Sequence, residues 1–395
     1  MSREGRAMKK ILVLGTSSIQ ADLVRLCRER GQEVFTCSNA ERGPARELSR
    51  EFRLVDIVDR QGVLDYARSI GADLVHSVGS DVAMPTASWV SEQLGLPRFV
   101  SSRTAEVCNS KPLMRETLGF DNPWNLDFQV IRSPEEGIRI PFPLVLKPAD
   151  SQGQRGVRLV RDREDLFRCF SQARAFSRTG GIILEEFARG PEISVPAYVA
   201  DGKVWGGLVA DRISWPQYPG WIVHKLAMPS ATLGESAGRA VGELLAFVAE
   251  RLGIRSGPMY CQIKITEGGP KLIEVSPRLD GGHLWRAWEM ITGVNLLAIL
   301  LDHLEGNVPA PSRFHPSRAG EPLELEYLCA LPGWRHDPDH FREETEGAAY
   351  LEWYYQRGEE VRSTHGFAEK TGYVIRKPRP FPSPSTGRAG EGIAR

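Results

Sequence analysis

Residues Met259 to His283, MYCQIKITEGGPKLIEVSPRLDGGH, constrain the fold more than any other stretch of this chain. An apolar-rich run, Met259 to Ile265, leads into the turn cluster Thr266-Glu267-Gly268-Gly269 and a second run, Pro270 to Val275. Two strand-like runs around a short glycine-containing loop predict a β-hairpin. With the loop at Glu267-Gly268-Gly269 the register centres on Gly268, and Gln262 pairs directly with Glu274. Directly opposed residues share a face of the sheet. Alternation along an extended chain then puts Ser276 and Arg278 on the face of Glu274. That face collects oxygen ligands for a hard cation beside a guanidinium suited to phosphate. Taken alone, the same residues also fit an ordinary half-solvated hairpin.

The 395 residues leave room for two or three domains with ample core. The formal net charge is zero, which gives no basic stripe for nucleic acid or a membrane surface. Six cysteines without CxxC spacing read as reduced thiols of a cytoplasmic protein rather than a disulfide framework or zinc site. The richest apolar stretch, Val294 to Leu301, is far short of a membrane span. The opening MSREGRAMKK lacks the apolar core of a signal peptide.

Lys9 to Gly15 is an unbroken apolar run of the kind buried in parallel sheets, and a helix over Ile19 to Arg30 follows it. Glu33 to Cys37 and Asp73 to Ser77 read as strands, Leu64 to Ile70 and Pro85 to Leu94 as helices. This alternation predicts a doubly wound parallel sheet over residues 9–100. A dinucleotide site at Gly15 is argued against, because GxGxxG is missing and no acid closes the second strand. Residues 101–310 read as a second unit. It comprises a helical segment, Thr104 to Leu118, broken near Lys111-Pro112; strands Phe142 to Pro148, Gly181 to Phe187 and Pro191 to Val199; helices Asp165 to Phe176 and Ala237 to Leu252; the hairpin; and the helix Leu284 to Ile291. Beyond Leu323 short strands predict a small β-rich unit over 320–377, with Tyr327 to Leu331, Tyr350 to Tyr355 and Gly372 to Ile375 as its strands. Residues 1–8 and the Pro-, Gly- and Ser-rich 378–395 are expected to be disordered.

Several residues can carry chemistry. Lys147 closes an apolar strand, where a lysine needs a partner such as a phosphate or must snorkel to water. The polar loop Ser151 to Val157 (SQGQRGV) could cradle phosphates on its backbone N–H groups, although it is not a Walker loop. Glu185, Glu186 and Phe187 end another strand, and Glu192 follows. His224 and His283 sit near tryptophans and glycines, a setting that fits structural histidines as well as catalytic ones. His336 and His340 have metal-ligand spacing, but Pro338 between them predicts a loop.

In this order Lys111, FPLVLKP, SQGQRGV, IILEEFARGPEISV and LIEVSPRLDGG resemble an ATP-grasp ligase, from about residue 9 to 376. The segments HKLAMPSATL and ITGVNLLAILLDHLEG make the chain most similar to the stand-alone carboxylate–amine ligases, including the L-amino acid ligases. The resemblance implies a central ATP-grasp fold with a lid at about 149–200, preceded by the α/β unit and followed by the β-rich one. It implies ATP and magnesium, with manganese as a substitute. Lys111 and Lys147 would contact phosphates, and Ser151, Gln152, Gly153, Gly156 and Val157 would form the lid over them. Glu185, Glu186 and Phe187 would meet adenine, largely through backbone atoms, and Glu192 would hold the ribose. Gln262, Glu274 and Ser276 would hold the metal, and Arg278 would stabilise the transferring group. His224, Asp280, Gly281, Gly282 and His283 are the candidates for substrate contacts.

Three departures stand out. Relatives usually carry an acid where Gln262 stands, Asn where Ser276 stands, and glycine in the loop where Gln154-Arg155 stand. The activity implied joins a small-molecule carboxylate to an amine through an acyl phosphate, giving ADP and phosphate. A bicarbonate-using carboxylase, a carbamoyl-phosphate-synthase-like enzyme and a catalytically inactive ATP-binding protein are the alternatives. Neither nucleic acid nor membrane is expected as a partner, and a homodimer is the assembly considered.

Overall fold

In a computed structural model the described residues are 8–151, 153–218, 220–314, 320–363 and 367–379. The segments expected to be disordered, 1–8 and 378–395, fall almost wholly outside them.

The N-terminal unit runs β1 (Lys10–Leu14), α1 (Ser18–Glu29), β2 (Glu33–Ser38), α2 (Pro44–Leu48), β3 (Glu51–Leu54), α3 (Arg60–Ile70), β4 (Leu74–His76) and α4 (Met84–Leu94). Its four strands are parallel in the order β3-β2-β1-β4. The apolar run of β1 is buried because helices cover both faces of the sheet. Sequence alternation missed β3, whose Glu51 and Arg53 make an exposed edge strand without an apolar signature. Strand order reverses between β1 and β4, where a crevice opens at the carboxyl ends of the strands.

Two helices follow, α5 (Ser102–Asn109) and α6 (Lys111–Leu118), broken where expected, with Pro112 in the first turn of α6. Then come β5 (Phe128–Ile131), β6 (Leu144–Pro148), β7 (Arg158–Val160), α7 (Arg163–Arg174) and β8 (Ile182–Glu186). These strands form a four-stranded antiparallel sheet, β5-β8-β6-β7, with α7 packed on it.

The rest of the chain supplies β9 (Glu192–Ala200), β10 (Lys203–Trp205), β11 (Ala210–Ser214), β12 (Val223–Met228), α8 (Glu235–Arg251), β13 (Gly257–Thr266), β14 (Gly269–Ser276), α9 (Leu284–Thr292), α10 (Leu296–Leu304), β15 (Leu323–Ala330), β16 (Tyr350–Trp353) and β17 (Glu369–Arg376). Its strands build one nine-stranded sheet in the order β14-β13-β9-β11-β12-β15-β17-β16, with β10 added to β9. The C-terminal strands β15, β16 and β17 therefore extend the central sheet instead of forming a sheet of their own. Helices α5, α6 and α8 bury the largest core against β9, β13 and β14. Among the described residues no single helix is long and apolar enough to cross a membrane.

The hairpin corrects one expectation and explains why another survives. Thr266 pairs with Gly269, so the loop is the two residues Glu267-Gly268, not three. That register alone would misalign Gln262 and Glu274. A bulge between Gln262 and Ile263 restores the Gln262–Glu274 pair and leaves Ile273 as the extra residue on β14. Both Ile273 and Glu274 then reach the same side, as bulged residues do, while Leu272 and Val275 stay in the core.

Candidate functional site

A cavity of about 740 Å³ lies between the four-stranded and nine-stranded sheets, with the crevice of the N-terminal unit along one side. Of the residues singled out from the sequence, Lys111, Lys147, Ser151, Gly153, Val157, Glu185, Glu186, Phe187, Glu192, Gln262, Glu274, Arg278, Asp280, Gly281 and Gly282 line it. Gly156, Ser276, His224 and His283 do not, and Gln152 lies outside the described residues.

The two lysines are held from different elements. Lys111 begins α6 and its Nζ donates to the Ser151 carbonyl at 2.6 Å. Burial lowers its pKa, and the nearby Glu274 carboxylate works against that shift. Lys147 is the penultimate residue of β6, and its Nζ reaches Glu185 Oε2 at 2.5 Å. Glu185 is buried and takes a second cation, Arg115, whose Nε lies 2.9 Å from Oε1. Burial would raise the Glu185 pKa, but Arg115 and Lys147 outweigh it and hold the carboxyl at about 2. Its side chain is therefore committed to aiming Lys147, and its backbone is paired within the sheet, opposite Phe128 on one side and Val145 on the other. Sequence reasoning missed Arg115, which reads there as an ordinary helix-surface residue.

The connection between β6 and β7 reaches over this region. Gly153 has φ 65° and Gly156 φ 73°, and Gln154 between them has φ 63°. Gln154 thus occupies a left-handed conformation that glycine adopts without strain. A Cβ on Gly156 would lie 2.9 Å from Pro148 Cγ, so that glycine serves packing beneath the loop and does not face the cavity. A further wall comes from the β11–β12 loop, which the sequence did not mark. Its Trp221 stacks against Phe187 with centroids 6.0 Å apart.

On the opposite wall Glu274 makes no side-chain hydrogen bond or ion pair among the described residues. Gln262 beside it donates its amide Nε2 to Glu192, which leaves its oxygen for a cation. Glu192 also pairs with Arg212 at 2.7 Å and Lys264 at 3.3 Å. A bare carboxylate beside an amide oxygen fits a hard divalent cation such as magnesium. Ser276 does not join them. It is buried, and its hydroxyl donates to Asp81, a residue of the β4–α4 loop. Asp81 also accepts from Arg278 Nη2 at 2.5 Å. Burial pushes its pKa up, but Arg278 and the Ser276 hydroxyl more than offset this and keep it below the usual carboxylate range. Asp81 is the acid in the cavity that sequence reasoning missed. It lies in another unit, and only the tertiary fold brings it to Arg278.

The proposed substrate residues divide. Gly281 and Gly282 are glycines because partners approach closely. A Cβ would lie 3.0 Å from the Gly79 oxygen at the first and 2.1 Å from the Tyr327 hydroxyl at the second. Asp280 borders the cavity, but its oxygens accept from the backbone N–H groups of Gly282 and Leu284 and so cap α9. His224 is not a cavity residue. A register shift between β11 and β12 leaves it as the bulged residue, and its Nε2 lies 2.7 Å from Glu326. His283 is fully buried behind the wall, with Nδ1 3.0 Å from Asp22 and its ring stacked on Tyr373 at 4.4 Å. Asp22, His283 and Glu352 come within 4.8 Å of one another. Arg25 and Arg286 pair with Asp22, and tyrosine hydroxyls donate to Glu352, so the cluster is a closed tie between α1, α9 and β16.

Residues 140–285 match the family profile of the ATP-grasp domain. The chain is 29% identical over 190 residues to a formate-dependent phosphoribosylglycinamide formyltransferase of Prochlorococcus marinus, covering 45% of this chain and 47% of that protein. It is 26% identical over 337 residues to carnosine synthase 1 of Mus musculus, covering 75% of this chain and 40% of that one. The chain thus spans about half or less of the length of these relatives. Among solved structures it superimposes on an L-amino acid ligase from Bacillus licheniformis with a TM-score of 0.77, at 19% identity over 95% of both chains. With the biotin carboxylase domain of the 2-oxoglutarate carboxylase of Hydrogenobacter thermophilus, in complex with MgADP, ADP and bicarbonate, the TM-score is 0.74 at 18% identity, over 95% of this chain and 87% of that one. At these identities the structural likeness establishes the fold.

Proposed function

We propose, for a chain whose residues 140–285 match the ATP-grasp domain, an ADP-forming ligase that joins a small-molecule carboxylate to an amine. The observation that carries this reading is the meeting of two lysines, a bare glutamate and an aspartate-paired arginine on one cavity between two antiparallel sheets. The working units are residues 9–100, 101–310 and 320–377, with the nucleotide between the two antiparallel sheets and the acceptor at the N-terminal crevice.

A carboxylate is a weak electrophile. Attack of its oxygen on the γ-phosphorus of ATP forms an acyl phosphate and releases ADP. Attack of the amine on the acyl carbon then forms the amide, releases phosphate and frees a proton. Such transfer depends mainly on positioning and charge neutralisation. Lys111 and Lys147 bind the phosphates. Glu186 and Phe187 offer backbone groups at the end of β8 to adenine, and Glu192 lies where ribose hydroxyls can reach it. Glu274 and Gln262 would hold magnesium, which would neutralise the phosphates. Arg278 faces the transferring group, and Asp81 orients Arg278. The test is a phosphate-release screen of carboxylates against amines with ATP and magnesium. Failure of every pair in a protein that binds ATP would leave only nucleotide binding.

Lys147→Ala is expected to weaken ATP binding, because truncating a buried charge-assisted contact costs about 2–5 kcal/mol. Calorimetry with a non-hydrolysable analogue would measure this, and an unchanged Kd would remove Lys147 from the phosphate site. Asp81→Asn keeps the shape but removes the charge that pairs with Arg278. Turnover should fall roughly tenfold or more, about 1.4 kcal/mol, with ATP affinity nearly unchanged. Equal losses in ATP affinity and turnover would place Asp81 in nucleotide binding instead.

A further inference from the structure

Lys370 belongs to β17, far along the chain from the phosphate and metal residues proposed above, yet it lines the same cavity. Its ammonium rests 3.5 Å from the centroid of the Tyr327 ring and makes no ion pair among the described residues. The charged and titratable groups around it are Arg212, Asp280, Cys329 and Tyr327. Arg212 repels it and is already paired with Glu192, while Asp280 is committed to capping α9. The hydroxyl of Tyr327 donates to the Gly282 carbonyl at 3.0 Å, and that of Tyr260 lies 2.9 Å from Ser194 Oγ. Both rings are thereby fixed as walls, with their polar ends spent. A ring face is a weaker partner for an ammonium than an anion. Burial lowers the Lys370 pKa to about 8, as expected of a cation without a full counter-charge.

We propose that this end of the cavity binds an anionic group of the substrate, a second carboxylate or a phosphate ester, separate from the carboxylate that is activated. Lys370 is its main partner, and Arg212 lies beside it. The proposal rests on the ligase reading and names a class of substrate for it: one that carries an extra negative charge. Lys370 is a specificity residue in this scheme and takes no part in phosphoryl transfer. The sequence hid it because Lys370 precedes the expected strand Gly372 to Ile375, where a lysine reads as a solvated side chain.

The experiment uses the full chain loaded with magnesium and a non-hydrolysable ATP analogue, titrated by calorimetry with matched pairs. L-glutamate against L-glutamine tests the carboxylate, and O-phospho-L-serine against L-serine tests the phosphate. The anionic member of one pair should bind at least tenfold more tightly, and which pair responds identifies the source. The preference should fade as pH rises through about 8. Lys370→Met should abolish it while leaving nucleotide affinity and melting temperature unchanged, and Lys370→Arg should retain part of it. Equal binding of charged and neutral members, or a preference that survives in Lys370→Met, overturns the subsite. The same pairs are then assayed for phosphate release. Lys370-dependent anion binding without turnover would retain the subsite and sink the ligase reading. Turnover of neutral substrates without any anion preference would do the reverse.

Discussion

Glu274→Gln should remove nearly all phosphate release, by at least about a hundredfold, or roughly 3 kcal/mol of transition-state stabilisation. Glu274 is the one full negative charge among Gln262, Glu274 and Ser276, and it faces the cavity without a side-chain partner among the described residues. A hard divalent cation favours carboxylate over amide oxygen. The substitution also removes the charge that helps keep half-buried Lys111 protonated. The variant should melt like the parent, because no ion pair is lost. Raising magnesium should restore part of the activity, and Gln262→Glu should shift the magnesium requirement the other way. Near-normal turnover of Glu274→Gln at low magnesium would mean that the metal is held elsewhere. Ser276→Asn reads as harmless from the sequence, since it supplies the carbonyl that relatives use. The structure reverses that expectation. Ser276 is buried and holds Asp81, so a larger amide should disturb Asp81 and Arg278 together and lower turnover.

The parts of the site that were legible lie close together in sequence and follow a simple period. Gln262 and Glu274 are opposed on one hairpin, and a register centred on Gly268 places them on one face, although the structure reaches that pairing with a two-residue loop and a compensating bulge. Lys147 was legible because a charge at the end of an apolar strand needs a reason. Asp81, Arg115 and Lys370 were not legible, each for the same physical cause. Each is an ordinary charged residue in a loop, helix or strand, and its role arises only when another element closes over it. His224 failed for a local reason, since a bulge turns the side chain toward Glu326 and no residue type announces a bulge there. The fold was more legible than the site. A long apolar run marks β1 and amphipathic patterns mark α3 and α8, whereas short edge pieces such as β3 and β7 carry too few apolar residues to stand out. The extension of the central sheet by β15, β17 and β16 depends on pairing between distant segments, which alternation within each strand does not encode.

Arg115→Ala should destabilise the protein by about 3–5 kcal/mol, the usual cost of breaking one partner out of a buried ion pair. The Arg115 side chain has no exposed surface. Besides Glu185, its guanidinium donates to Asn125 Oδ1 at 3.1 Å, the Leu272 carbonyl at 2.8 Å and the Ile273 carbonyl at 3.1 Å. It therefore ties α6 to β8 of one sheet and to the bulge on β14 of the other. Alanine would leave Glu185 with Lys147 alone and strand two carbonyls beside the bulge that sets Glu274. A melting temperature lower by roughly 10 °C would be expected, with ATP affinity reduced as Lys147 is drawn more fully to Glu185. Arg115→Lys should fall between, because it keeps the charge but not the planar fork. The pair also sets an acid limit. Glu185 has a folded pKa of about 2, below its ordinary value, so its stabilisation is complete above about pH 4.5 and is lost as pH falls toward 2. In Arg115→Ala that pKa should rise, and acid unfolding should begin at a higher pH. Thermal melts of parent and variant from neutral pH down to pH 3 would read both effects. A variant that melts with the parent across that range would show that the buried fork is not what joins the two sheets.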